Sequence, residues 1–189
     1  DFKCISPKQI NMMITTKSNG FGKSLHIEIP RMKAPIPLFI LFRALGVIND
    51  KDICEKIVLN HEDPKYKRML FGLQGSIIDA SKHMTQEEAI KYIVSHVMYT
   101  PINMDKEQGA KKKHDFTLEI LKNDVFPHCR TQTQKIYFLG YMANKLLRCS
   151  FEMISTDDRD SYLNKRIDLT GILLNNLFRN YFNKVVKDM

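Results

Sequence analysis

Three prolines, Pro30, Pro35 and Pro37, fall within eight residues and divide this chain into two regimes. Each fixes φ near −65° and lacks an N–H, so no long strand or helix crosses the block. Before it the apolar period is two. Gln9 to Thr16 and Ser24 to Met32 read as strands, the second with Leu25, Ile27 and Ile29 on one face and His26 and Glu28 on the other. Ser18-Asn19-Gly20 between them accepts positive φ, which predicts a hairpin over about 9–32.

After the block the period becomes helical. Leu38, Leu41, Phe42 and Leu45 form a stripe, with Pro37 at the first turn and Gly46 as the stop. A short helix follows, capped by Asn49 or Asp50, with Ile53, Ile57 and Val58 inward. Pro64 opens a third over Lys65 to Leu73. Thr85-Gln86-Glu87-Glu88 reads as a capping box ahead of Ala89, Ile90, Ile93, Val94 and Val97. A charged helix spans Ala110 to Val125 and is stopped by Pro127. Thr133 to Phe151 carries Ile136, Leu139, Ala143, Leu146 and Leu147 on one stripe, and a last helix runs from Thr170 to Lys187. The fold class is therefore α+β. An N-terminal β-hairpin precedes a mainly α-helical part, about 37–189, in a single domain over 1–189.

Of the 189 residues, 43% are hydrophobic, enough for a real core. The formal net charge of +8 favours a polyanionic neighbour, nucleic acid above all. Lys111-Lys112-Lys113 is the only lysine run, and a run that short reads as a solvated helix face. Cys4, Cys54, Cys129 and Cys149 contain no C-x-x-C pair, which argues against a structural zinc site or a disulfide framework and for reduced thiols inside a cell. No apolar run is long enough to cross a bilayer, so no membrane partner is expected. Asp1 is not a methionine, and the closing pattern Leu173, Leu177, Tyr181, Val185 has no stop signal; both ends read as cut.

Most candidate chemistry dissolves on inspection. Gly22-Lys23-Ser24 resembles the end of a phosphate loop, but Lys17 stands where that loop needs glycine and a strand follows. His128 and Cys129 are adjacent, and neighbours point apart in most backbone conformations, so a nucleophile pair is not expected. The ten methionines read as core filler. The stretch from Asp157 to Asp168 is different, because it holds seven charges in twelve residues. Asp157, Asp158 and Asp160 could gather magnesium, yet Arg159, Lys165 and Arg166 already balance them. Charge pairing is the expectation, with no metal ligand and no catalytic residue. Asp168 or Thr170 would cap the last helix.

Four blocks, taken in order, carry a resemblance. They are Ile36-Pro37 leading into Phe42-Arg43-Ala44-Leu45-Gly46-Val47-Ile48; Phe126-Pro127-His128; Phe138-Leu139-Gly140-Tyr141-Met142 with Asn144-Lys145-Leu146-Leu147; and Asp157-Asp158-Arg159-Asp160 running through Lys165-Arg166-Ile167-Asp168-Leu169-Thr170-Gly171. Together they resemble the lobe domain of the second-largest subunit of multisubunit DNA-dependent RNA polymerases, in the eukaryotic, archaeal and large-virus branch. The span from about Pro30 to Asp188 is covered.

The resemblance implies a domain inserted in a neighbouring one, so that Phe2 and the last helix lie near one face. It implies a wall of the DNA cleft beside the downstream duplex and the non-template strand. An outer face would meet other polymerase subunits, the rest of its own subunit and a general initiation factor. Magnesium and nucleotide addition belong elsewhere in such an enzyme, so the resemblance implies no cofactor and no catalytic residue for this chain. Asp160, Lys165 and Arg166 match the positions near nucleic acid, while Asp157, Asp158, Arg159 and Asp168 would form an ion-pair loop. Ser161 and Leu163 stand where the family pattern commonly has His and Gly. The implied setting is intracellular: a nucleus for a cellular eukaryote, a viral factory or virion for a large DNA virus. The alternatives are a free-standing basic helical module that docks onto proteins, and a magnesium enzyme built on Asp157, Asp158 and Asp160.

Overall fold

The computed structural model describes residues 8–16, 22–59, 64–100, 105–165 and 167–189. The Ser18-Asn19-Gly20 turn, Phe2, Cys4 and Arg166 lie outside the described residues. The chain forms two compact units, Asp1–Ile154 and Ser155–Met189.

The first unit opens with a three-stranded antiparallel sheet, in the order β1 (Asn11–Thr16), β2 (Lys23–Glu28), β3 (Ile36–Pro37). The β1–β2 register runs from Asn11 opposite Glu28 to Thr16 opposite Lys23, as a hairpin requires. β3 is only two residues long, pairing Ile27 with Ile36 and His26 with Pro37, because the proline block permits no more. β2 is buried on both faces, so the polar side of its alternation is not a solvent side. Helix α3 (Pro64–Ala80) accounts for this. Its Ser76 Oγ accepts the Leu25 N–H at 2.8 Å, covering the edge that short β3 leaves open. Asp79 Oδ2 lies 3.2 Å from His26 Nε2, and Thr15 Oγ1 lies 2.7 Å from His26 Nδ1, so the buried imidazole has partners at both nitrogens.

Helix α1 (Leu38–Ala44) is buried along its whole length and around its whole circumference. That is the pattern of a central core helix rather than a surface one. Gly46 ends it at φ 96°, a conformation that favours glycine. The carbonyls left open at its C-terminus are closed by two distant amides. Gln86 Nε2 donates to Ala44 O at 3.2 Å and Gln132 Nε2 to Leu45 O at 2.6 Å. Around α1 pack α2 (Asp50–Val58), α3 and α4 (Gln86–His96), followed in sequence by α5 (Lys106–Glu119) and α6 (Gln132–Ser150). The core draws on the inward faces of all of them.

Two capping boxes set helix starts. Thr85 accepts the Glu88 N–H and Glu88 returns the bond, as its sequence predicts; Thr131 and Gln134 do the same for α6, one turn's length before the apolar stripe begins. Four expectations are corrected. Asn49 occupies the α2 cap position without capping it, since its amide turns to Asp52 at 3.1 Å and Asp50 is drawn to Arg43. α3 continues past Leu73 to Ala80, and Gly72 within it faces the Phe151 ring so closely that an added Cβ would lie 2.9 Å from it. The charged helix ends at Glu119 and passes into one π-helical turn, Ile120–Asp124. α7 (Thr170–Asp188), in the second unit, starts from Leu169 with no side-chain cap, so neither Asp168 nor Thr170 serves.

Candidate nucleic-acid interface

The motif residues sort into a buried frame and an exposed turn. Arg43 is fully buried within α1. Its guanidinium donates to Ala80 O at 2.6 Å and His83 O at 2.7 Å, and it pairs with Asp50 Oδ1. One side chain thus ties α1 to the end of α3 and the start of α2. A buried charge of this kind is tolerated only with such partners. Its Nε has no hydrogen-bond partner among the described residues.

The Leu139-Gly140-Tyr141-Met142 block is equally architectural. A Cβ on Gly140 would lie 2.4 Å from the Lys56 carbonyl, so glycine is what lets α6 approach α2. One turn on, Asn144 Nδ2 donates to Ile57 O at 2.7 Å and closes the α2 C-terminus. Tyr141 points outward and is 58% exposed. Lys135, 5% exposed, donates to Leu121 O at 2.9 Å and to Lys122 O, closing the π-helical turn. Desolvation holds its ammonium below the ordinary lysine pKa, with Cys129 opposing.

Two groupings escaped the sequence. Asp124 at the end of the π-helical turn lies 3.3 Å from Lys8 Nζ and 3.5 Å from Arg31 Nε. Arg31, at φ 66°, also sits over the Phe116 ring at 5.5 Å. The other is the Thr15–His26–Asp79 set described above. Both join residues far apart in sequence, and no local pattern announces either. His128 lies on the surface with its ring 4.6 Å from that of Phe138, an aromatic edge contact rather than a nucleophile pair with Cys129.

The charged turn belongs to the second unit. Asp157, Asp158, Arg159, Asp160, Lys165 and Asp168 are all exposed. Asp160 and Lys165 come together at 3.2 Å, with side chains 75% and 48% exposed. Asp158 shapes the backbone: its Oδ1 accepts the Asp160 N–H at 2.9 Å and its carbonyl accepts Asn164 Nδ2 at 2.6 Å. A 3-10 turn over Tyr162–Asn164 follows, with Ser161 as its cap. Leu163 sits inside that helical turn, 96% exposed and without positive φ, so the position makes no demand for glycine. The turn therefore presents Lys165 to solvent from a backbone held by local hydrogen bonds. Among the described residues no group of three His, Cys, Asp or Glu side chains is placed to hold a metal ion, and no helix is long and apolar enough to cross a membrane.

Comparison with known proteins decides the family. Residues 5–168 match the family described as RNA polymerase Rpb2, domain 2. The chain belongs to the Rpb2 domain 2 family. It is 35% identical to DNA-directed RNA polymerase II subunit RPB2 of Schizosaccharomyces pombe, over 99% of this chain and 15% of that one. It is 33% identical to DNA-directed RNA polymerase subunit 2 of Acanthamoeba polyphaga mimivirus, over 94% of this chain and 16% of that protein. It is 32% identical to subunit Rpo2 of Saccharolobus solfataricus, over 88% of this chain and 14% of that one. This Rpb2 domain 2, the lobe, thus spans about one seventh of the length of these relatives. In it the FRALG and LGYM blocks build the frame. The DDRD block and Lys165 form the surface turn, with α7 lying beyond the family match.

Proposed function

We propose that this lobe domain forms part of the DNA cleft wall of a multisubunit RNA polymerase and has no catalytic role of its own. The observation that carries the reading is the family match over residues 5–168. The +8 charge and the solvent-facing Asp160–Lys165 pair are compatible with a phosphate-facing surface. Lys165 and Arg166 would meet phosphates of the downstream duplex or the non-template strand, and Asp160 would orient Lys165. The rest of the subunit and other polymerase subunits would surround the domain. An initiation factor would dock on its outer face, at an intracellular site of transcription. Magnesium would act elsewhere in the parent enzyme.

Duplex and bubble DNA binding by the 189-residue chain, titrated against salt, tests this. Weak, sequence-independent binding that falls linearly in log K against log salt is expected, and Lys165→Glu should flatten that slope by about one to two phosphate contacts. Tight, salt-insensitive, sequence-specific binding would overturn the reading.

A further inference from the structure

One face of the first unit leaves aromatic and apolar side chains in solvent. Tyr137 and Tyr141, four residues apart on α6, are 50% and 58% exposed, and Ile48 beside the start of α2 is 47% exposed. Two shallow hollows lie on either side of the Lys56–Tyr137 contact. One, of about 510 Å³, is walled by His128, Gln134, Tyr137 and Phe138. The other, of about 470 Å³, lies along α2 between Ile48, Asp52, Glu55 and Lys56. Lys56 joins them, with its Nζ 4.5 Å from the Tyr137 ring centre and 3.1 Å from the Tyr137 hydroxyl. The face is pre-set, because Gly140 and Asn144 fix α6 on α2 directly beneath it.

Its charge runs against that of the chain. The molecule carries +8, yet among the residues lining the second hollow Asp52 and Glu55 outnumber the single cation, Lys56, which is folded onto an aromatic ring; Lys51, largely in solvent, reaches Glu55 only at 4.0 Å. On the inner side of the same helix the Cys54 thiol is pushed up to about 11, by burial first, with Asp50 and Glu55 adding to the rise. Acidic walls repel a phosphate backbone. Exposed tyrosines over apolar hollows are the usual anchors of protein interfaces.

We infer that the α2–α6 face docks a protein segment that sets a large apolar side chain against His128, Tyr137 and Phe138 and a neighbouring basic side chain against Asp52 and Glu55. This rests on the docking half of the proposed function and names its site and chemistry.

The test uses the full chain and two short fluorescent peptides: one with phenylalanine between arginines, the other with the arginines replaced by glutamates. Net charge alone favours the glutamate peptide, so a preference for arginine has to come from a local acidic site. The arginine peptide should bind at least about tenfold tighter. Asp52→Lys with Glu55→Lys should reverse the preference, Tyr137→Ser should weaken the arginine peptide, and duplex DNA should not displace it. Circular dichroism confirms that each variant is folded, and the milder Glu55→Gln serves if the double variant is not. Equal binding of both peptides, indifference to Tyr137→Ser, or displacement by duplex DNA would overturn the proposal. Duplex binding in the same samples separates the two readings. Its absence counts against the cleft wall and leaves this face standing, and the reverse result does the opposite.

Discussion

Arg43 and the Asp157–Asp168 turn are the two places where charge is most conspicuous, and they have opposite fates. Arg43 is a lone cation in an apolar helix, fully buried and bound to three partners. The turn holds many charges, and every described one is in solvent. Density of charge along the sequence therefore says little about energetic weight. What matters is the dielectric around each group. An exposed ion pair contributes about 0–1 kcal/mol, whereas stripping one partner from a buried charged set costs several times more. The frame holds the fold, and the turn is free to serve a surface role.

Four measurements test that contrast by chemical denaturation, beginning with the largest effect. Arg43→Met should lose about 3–5 kcal/mol, since it removes a buried guanidinium and strands the part-buried Asp50 and the Ala80 and His83 carbonyls. A loss below 1 kcal/mol would break the comparison. Gly140→Ala should lose about 3 kcal/mol, because the obstacle is the Lys56 backbone, not a side chain that can swing away. Asn144→Ala should lose about 1–3 kcal/mol by leaving the Ile57 carbonyl unanswered. Asp160→Asn should change stability by less than about 0.5 kcal/mol, because its partner Lys165 is half in water. A larger loss would move the turn into the structural class.

Where a signal is local, the chain could be read directly. The period change at the proline block marks the sheet and the helices. Thr85 with Glu88 marks the start of α4 in four residues. The first motif block was recognisable, but its physical reason was not, because Arg43 answers carbonyls 37 and 40 residues away. Asp50 looked like a cap and is instead its counter-ion. β3 is too short for any period to show, and α3 runs on past Leu73 to Ala80, with Gly72 inside it against the Phe151 ring. In the candidate interface, charge pairing was expected from the density of acids and bases, but the sequence did not say that Asp160 meets Lys165, nor that Asp158 and Asn164 shape the turn by hydrogen bonds. Asp168 failed as a cap because the helix begins from Leu169, one residue later.

The paired glutamines at the end of α1 carry a consequence for synthesis. The last carbonyls of that helix wait for Gln86 and then for Gln132. While the ribosome is still making the intervening residues, on the order of ten seconds at ordinary elongation rates, the most apolar helix of the protein has no finished end. A nascent chain paused before residue 132 should therefore hold α1 loosely and expose it to chaperones, and should tighten in one step once that amide emerges.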